Sequence, residues 1–441
     1  MEGFAGPCLS HSATSPSEHD SGEVAQGDAR PEHHRYLRHM VRRLTAALLV
    51  TALLAACSGG DDAATTSVAD AETTAAPTTT APETTLPVTT TPETTAPALS
   101  EWEEFQAPGP YLVGSTTLTL AKGPSVEVWY PVAPVVGVTP ADITYDVRDF
   151  VPESIRAVLT GDAPATYTFA GVRDGDVADG TFPVVLFSHG FTGMRLQSSF
   201  LTSHLASWGM IVVAPDHPSR DLAGVLGGTA SGDRADAVDD LLSALELVLA
   251  DERLGAHADP EKVAALGHSA GGGTVLAAAS DPRIDGYVSM ASGAFSAEGT
   301  TATLPEKPSF FLAGSVDAVV SADEVTRPAF DAAPSPSTLW VIDGVGHNGF
   351  DDFCTFGNGT GIIGVAEASG LGALLDAQPQ LRALGEDGCI DPAVPVDTTF
   401  PIVRHAVTAW LRHLFGVDAQ PLGIATVPAG TYPVEVEVAA K

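Results

Sequence analysis

Short apolar runs alternate with amphipathic stretches between about residues 102 and 417. The runs are rich in Val, Ile, Leu and Phe and are bounded by Gly, Pro, Asp or Ser, which is typical of buried strands. Because strands that are apolar along their whole length are buried on both faces, the pattern predicts a mostly parallel central sheet with helices on both faces. The predicted strands are 125–130, 184–187, 211–214, 263–266, 287–290, 309–313 and 339–342.

One stretch between these runs shows helical spacing clearly. Apolar side chains recur every three to four residues over 238–249, whereas Asp239 and Asp240 fall on the opposite face. Such a stripe predicts an amphipathic helix that packs its apolar face on the sheet. Strands and helices together predict a single α/β domain over 101–441.

Residues 1–100 lack this alternation of predicted strands and helices. Arg42 and Arg43 precede an uninterrupted small and apolar run that ends at Cys57 and is too short to span a bilayer comfortably. The pattern resembles the signal peptide and lipobox of bacterial lipoproteins, in which the cysteine becomes the lipidated first residue. We interpret 40–57 as this signal, with Cys57 as the lipidation site, and 1–39 as a misassigned or disordered leader. An apolar helix that ends at a free cysteine is the alternative.

Residues 58–100 are almost wholly Thr, Ala, Pro and Glu. This segment lacks the aromatic and branched aliphatic side chains that offset ordering entropy, so it is expected to be a disordered stalk. A coil of ~40 residues spans roughly 35 Å on average, enough to hold a domain away from a lipid surface. The expected location is therefore extracytoplasmic, with the protein anchored to the cell membrane through Cys57.

Composition narrows the choice of partners. The formal net charge is −34, with 21 Lys and Arg against 55 Asp and Glu. Nucleic-acid binding depends on clustered basic side chains that neutralise phosphates, and the sequence contains no basic stripe, so we exclude a nucleic-acid partner. An acidic surface favours solubility, and we expect a monomer.

Two of the four cysteines, Cys354 and Cys389, fall inside the predicted domain. An exported domain folds in an oxidising compartment, so these two residues are expected to form a disulfide. Two unrelated buried thiols are the alternative.

The most specific chemical signal is Gly267-His268-Ser269-Ala270-Gly271, directly after the predicted strand 263–266. A serine that attacks a carbonyl projects from a sharp turn between a strand and a helix. Flanking glycines let the backbone pass close beneath it. The motif therefore predicts Ser269 as a nucleophile, and a purely structural glycine-rich turn is the alternative.

A nucleophilic serine needs a base and an acid that orients the base. Asp317 follows the sixth predicted strand, and His347 lies in a glycine-rich loop after the seventh. The order Ser269, Asp317, His347 is the one used by the α/β-hydrolase fold. Asp323 and Asp343 are alternative acids.

The oxyanion formed during acyl transfer needs two backbone N–H donors. One belongs to the residue after the serine and the other to a loop after an earlier strand. These positions correspond to Ala270 and Phe191. His189 and His268 are interpreted as scaffold residues. The chemistry requires no metal and no organic cofactor.

Four motifs carry a family resemblance, which covers about residues 126–415. The motifs are Val128-Trp129-Tyr130-Pro131, His189-Gly190-Phe191-Thr192-Gly193, Leu205-Ala206-Ser207-Trp208-Gly209 and Gly267-His268-Ser269-Ala270-Gly271-Gly272. They resemble serine α/β-hydrolases grouped with platelet-activating-factor acetylhydrolases, dienelactone-hydrolase-like esterases, and bacterial cutinases and polyester hydrolases. The resemblance implies an α/β-hydrolase fold and hydrolysis of carboxylic esters through an acyl-enzyme on Ser269.

The spacing of the motifs also constrains the substrate site. Fewer than fifty residues separate Ser269 from Asp317, so no large lid fits there, and we expect an open or shallow cleft bordered by residues 351–389. Lipid, short-chain or polyester esters all fit as substrates. The alternatives are a phospholipid esterase of the platelet-activating-factor type, a serine peptidase, and a non-catalytic envelope lipoprotein that keeps the hydrolase fold.

Overall fold

The computed structural model describes residues 100–133, 140–294 and 303–441. The predictions for residues 1–57, including the lipidation site, and for the stalk up to residue 99 lie outside the described residues. Among the helices of the described part of the chain, none is both long and apolar enough to cross a membrane.

The strands within the described residues form one eleven-stranded sheet, in the order β11-β10-β9-β8-β7-β5-β6-β2-β1-β4-β3. The six neighbours from β10 to β6 run parallel, whereas β11 and β2 add antiparallel strands at either side. The predicted, mostly parallel sheet is therefore confirmed. The strands are β1 Leu112–Thr119, β2 Ser125–Val132, β3 Ala141–Asp146, β4 Thr166–Arg173, β5 Phe182–Ser188, β6 Ile211–Pro215, β7 Ala258–His268, β8 Ile284–Met290, β9 Ser309–Gly314, β10 Ser337–Ile342 and β11 Val436–Ala440.

Helices fill the connections between these strands, together with short 3₁₀ turns at Val147–Phe150, His347–Phe350 and Phe353–Asn358 and π turns at Ala322–Thr326 and Glu367–Leu371. The α-helices of the described residues are α1 Glu153–Arg156, α2 Ser199–Ser207, α3 Leu222–Gly227, α4 Arg234–Ala250, α5 Ala270–Ala278, α6 Arg327–Ala332, α7 Gly361–Ala366, α8 Gly372–Ala377, α9 Pro379–Glu386 and α10 Val396–Leu414.

The central strands are buried on both faces of the sheet. In β5, Val185 and Phe187 belong to a hydrophobic core that also contains residues of α2 and α10. The alternate residues Val184 and Leu186 belong to a second core with residues of α4 and α5. Because both faces are covered, each of these strands is apolar along its whole length, which is why the sequence predicts them.

All seven predicted strands are confirmed, as β2 and β5 to β10. The sequence does not predict β1, β3, β4 and β11. In β3 and β4 most side chains are exposed or half-buried, and β1 buries the polar Ser115 and Thr116, so none of these strands forms a continuous apolar run. Their pairing depends on neighbours that are distant in sequence.

Helix α4 confirms the predicted apolar stripe but corrects one residue. Leu241 and Leu245 are buried against the sheet as expected. Asp240, which the stripe places on the exposed face, is also buried. Its carboxylate lies 2.6 Å from Lys122 Nζ and 3.1 Å from His217 Nδ1. A carboxylate can be buried in this way when cationic or polar partners replace its water.

Cys354 and Cys389 form the predicted disulfide. The bond joins residues 35 positions apart and closes a loop that contains α7, α8 and α9. We refer to residues 354–389 as the cap segment.

Replacing both cysteines, as Cys354→Ala with Cys389→Ala, is expected to lower the free energy of unfolding. Opening a loop of this length restores chain entropy to the unfolded state, worth up to about 4 kcal/mol. Urea unfolding monitored by tryptophan fluorescence measures the change. Wild-type protein with its disulfide reduced is the matched control and should unfold at the same midpoint as the double variant. A midpoint equal to that of oxidised wild type would contradict the prediction.

Candidate active site

Ser269 occupies the sharp turn between β7 and α5. Its backbone angles are φ 55° and ψ −121°, a strained combination for a residue other than glycine. A Cβ atom on Gly267 would lie 2.4 Å from the carbonyl oxygen of Gly271, and one on Gly271 would lie 1.9 Å from that of Ser188. Only glycine fits at these two positions, and the predicted elbow geometry is present.

The structure brings the three predicted triad side chains together. His347 Nε2 lies 2.9 Å from Ser269 Oγ, and His347 Nδ1 lies 2.9 Å from Asp317 Oδ2. The other carboxylate oxygen of Asp317 accepts hydrogen bonds from the backbone N–H groups of Val319 and Val320, at 2.9 and 2.6 Å. In this arrangement the imidazole can take a proton from the serine while the aspartate holds it in the required orientation.

Both alternative acids have other partners. Asp323 forms an ion pair with Arg327 at 3.1 Å. Asp343 accepts a hydrogen bond from the Ser315 hydroxyl at 2.9 Å. Asp317 is therefore the carboxylate that contacts the ring of His347.

The environment of His347 sets its proton affinity. Burial alone would lower the pKa of His347. The charge and hydrogen bond of Asp317, with the further charges of Asp387 and Asp351, outweigh burial, so the pKa of His347 is raised above its ordinary value. The ring of His268, 4.9 Å away between centroids, is kept neutral because burial lowers its pKa. Only neutral imidazole accepts a proton. The raised pKa therefore moves the pH below which the reactivity of Ser269 falls to a higher value.

Asp387, in the cap segment, is a functional candidate that the sequence does not predict. Its carboxylate accepts hydrogen bonds from the backbone N–H groups of His347, at 2.7 Å, and Ala318, at 2.9 Å. One side chain thus joins the loop of the base to the loop of the acid. Asp387 lies two residues before Cys389, so the disulfide also holds it in place.

Buried side chains hold the loop that follows β5. Gln197 Oε1 accepts a hydrogen bond from the backbone N–H of Gly190 at 2.7 Å. The guanidinium of Arg220 donates to the carbonyl oxygen of His189 at 2.8 and 3.0 Å. Because Gln197 and Arg220 are themselves buried, the loop has little freedom to move.

The predicted oxyanion donors are Phe191, in the loop after β5, and Ala270, the residue after Ser269. Phe191 lines the same pocket as the serine, and Ala270 is the first residue of α5. Neither backbone N–H has a hydrogen-bond acceptor among the described residues. Most backbone donors in folded proteins are paired, so two N–H groups without an acceptor at these positions are available to a ligand oxygen.

A polar network behind the elbow connects these loops. The amide nitrogen of Gln197 donates to Asp351 Oδ2 at 2.9 Å and lies 3.2 Å from His268 Nδ1. His268 Nε2 lies 3.0 Å from the carbonyl oxygen of His347. Burial raises the pKa of Asp351 to about 7. His268 therefore connects the elbow to the base loop, in keeping with the scaffold role expected for it.

A second Ser-His-Asp arrangement lies under the loop after β5. Ser188 Oγ is 2.9 Å from His217 Nε2, and His217 Nδ1 is 3.1 Å from Asp240 Oδ2. Arg220 also donates a hydrogen bond to Ser188 Oγ at 2.7 Å, and the Ser188 side chain is fully buried. A substrate has no access to this hydroxyl. We therefore interpret these contacts as stabilising the loop.

Ser269 opens into a pocket of about 930 Å³, counted to its open mouth. Residues 351–389 border this open pocket as predicted, and α7, α8 and α9 form one of its walls. Among the described residues between Ser269 and Asp317, which are 270–294 and 303–316, no large lid is present. Among the described residues, no group of His, Cys, Asp or Glu side chains is placed to hold a metal ion.

Comparisons with known proteins agree with this fold. Residues 175–288, about a quarter of the chain, match a family model described as Chlorophyllase. This match includes Ser269 but ends before Asp317 and His347. A ferulic acid esterase from Streptomyces cinnamoneus has a similar structure, with a TM-score of 0.52 and 20% identity over 76% of this chain and 99% of that one. Among curated proteins, the comparison found no match. The fold is that of the α/β-hydrolases.

Asp387→Asn is expected to move the acid side of Ser269 reactivity to lower pH. The substitution removes a negative charge that raises the pKa of His347, so the imidazole stays neutral in more acidic solution. The rate at which a fluorophosphonate labels Ser269, measured as a function of pH, gives the midpoint. Asp343→Asn is the matched control, because Asp343 bonds to Ser315 instead. An unchanged or higher midpoint in Asp387→Asn would contradict the prediction.

Proposed function

We propose that this α/β-hydrolase is a serine esterase that cleaves carboxylic esters through an acyl-enzyme on Ser269. The observation that carries the proposal is the continuous hydrogen-bonded series from Asp317 through His347 to Ser269, with 2.9 Å at each step. An apolar pocket is lined by the same serine, and the backbone N–H groups of Phe191 and Ala270 have no acceptor among the described residues, which supports them as oxyanion donors. These are the parts that acyl transfer requires.

In the first half of the reaction, Ser269 Oγ attacks the ester carbonyl carbon while His347 Nε2 takes the hydroxyl proton. The negative charge of Asp317 stabilises the imidazolium that forms. The backbone N–H groups of Phe191 and Ala270 donate to the developing oxyanion. The tetrahedral intermediate then breaks its bond to the alcohol oxygen, which receives the proton from His347 and departs.

In the second half, water attacks the acyl-enzyme and His347 again takes the proton. The intermediate breaks its bond to Ser269 Oγ, which recovers its proton from the imidazolium. The products are one carboxylic acid and one alcohol for each water consumed.

Two features favour an ester over a peptide substrate. Extended peptides commonly bind by pairing with an exposed strand edge. Apart from His268, at the end of the interior strand β7, the described residues that line this pocket come from helices, turns and loops, and none belongs to an exposed strand edge. The similarity in structure to a ferulic acid esterase supports an ester as well.

The strained elbow favours catalysis over a binding module that keeps the hydrolase fold. Positive φ at Ser269 and two unpaired N–H groups reduce stability, and a protein that only binds ligands has no need of them. Such features persist where they contribute to a mechanism.

Export and lipid anchoring form part of the proposal. The lipobox pattern that ends at Cys57 and the stalk that follows it support an extracytoplasmic, membrane-anchored enzyme. The Cys354–Cys389 disulfide is consistent with an oxidising compartment.

Fluorophosphonate labelling followed by mass mapping tests the mechanism. Label is expected on Ser269, and Ser269→Ala should lose both labelling and hydrolysis of p-nitrophenyl acetate. His347→Ala should lower both rates by at least about a hundredfold, because the general base is lost. Ser280→Ala, which changes an exposed serine at the far end of α5, is the control and should react like wild type. Label on another residue, or full reactivity in His347→Ala, would overturn the proposal.

A further inference from the structure

We infer that the substrate carries a long apolar hydrocarbon chain and that the cap segment forms the wall that binds it. This inference rests on the proposed function, because it assigns the substrate class of the same site. Of the lipid, short-chain and polyester substrates that fit the motifs, it selects esters with a long aliphatic chain.

The cap contributes apolar side chains from three successive helices and the turn between two of them. Ile362 and Ile363 come from α7, Leu374 from α8, and Leu381 and Leu384 from α9. Some of these, such as Ile362 and Leu374, are only partly buried, so their apolar surface faces the space beside Ser269. Covering this surface with an apolar group is favourable, because the apolar surface is then removed from water.

The opposite wall has the same character. Val147 and Val151 lie around the 3₁₀ turn after β3, Leu159 follows α1, and Leu222 and Leu226 come from α3. The two walls come from segments far apart in sequence, and both present aliphatic side chains to one space. A ligand between them would therefore contact hydrocarbon on both sides.

The one charged side chain and the Asn348 amide that line the pocket, among the described residues, have partners within the protein, whereas the uncharged hydroxyl of Ser369 has none. Arg148 is the only Lys, Arg, Asp or Glu that lines it within the described residues, and its guanidinium nitrogens lie 2.5 to 3.1 Å from the carboxylate of Asp146. The amide of Asn348 donates to the carbonyl oxygens of Leu384 and Asp387, at 2.7 and 2.8 Å. The walls therefore offer no free charge for an anionic headgroup.

The composition of the pocket lining also favours a long chain. More than half of the residues that line the pocket carry aliphatic or aromatic side chains. An acetyl group would leave most of this apolar surface in contact with water. Each methylene that is buried instead is expected to raise kcat/KM by up to roughly fourfold.

Two substrate series test the inference. One lengthens the acyl chain of p-nitrophenyl esters from two to twelve carbons, and the other lengthens the alcohol of acetate esters over the same range. A rise in kcat/KM with chain length in either series supports the inference and shows which side of the ester enters the pocket. A flat profile in both series overturns it.

Ile362→Trp should flatten the rising series by filling the pocket. The ratio of reactivity toward the longest ester to reactivity toward p-nitrophenyl acetate is expected to fall about tenfold or more. Leu374→Trp provides a second blocking variant in case the first does not fold. Val158→Trp is the control, because Val158 is 63% exposed and does not line the pocket. Profiles in both blocking variants that match wild type would overturn the inference.

A binding measurement separates this inference from the esterase proposal. Ser269→Ala removes the nucleophile but keeps both walls, so it should bind 1-decanol more tightly than 1-butanol in calorimetry. Equal or undetectable binding of 1-decanol overturns the chain-binding inference. Wild-type protein that neither hydrolyses p-nitrophenyl acetate nor labels at Ser269 overturns the esterase proposal, whatever the alcohols show.

Discussion

A buried imidazole acts as a base near neutral pH only where neighbouring carboxylates outweigh the cost of burying its charged form. At His347 those carboxylates come from three places in the chain. Asp317 lies in the loop after β9, Asp351 follows the base itself, and Asp387 lies in the cap segment. The fold must therefore hold three segments close to one ring, and much of the architecture around the pocket serves this requirement.

Local features made the sheet and the triad residues predictable from sequence. Ser269 lies in a five-residue motif, and Asp317 and His347 follow recognisable strands, so each position depends on short-range pattern. Asp387 and Gln197 were not predicted because their roles depend on contacts with distant residues. Asp387 meets a backbone N–H 40 positions away, and Gln197 meets a carboxylate 154 positions away. No spacing rule encodes such pairs.

The walls of the pocket also depend on contacts that sequence patterns do not predict. The short interval between Ser269 and Asp317 correctly excludes a large lid there. It does not show that the wall of the pocket is supplied by a segment after the base. The sequence predicts only that residues 351–389 border the site. The shape of the pocket follows from how α7, α8 and α9 pack, which depends on tertiary contacts.

Two glycines show how closely the cap and the base are connected. A Cβ on Gly385 would lie 2.7 Å from the side chain of Ile363, so α9 packs closely on α7 and a side chain at Gly385 would displace Ile363. A Cβ on Gly388 would lie 2.8 Å from the backbone nitrogen of Asn348, and Gly388 has φ +92°. Asp387 lies between these two close approaches. The segment that shapes the apolar wall therefore also sets the position of a carboxylate beside His347, and a change in its packing would alter the pocket and the base together.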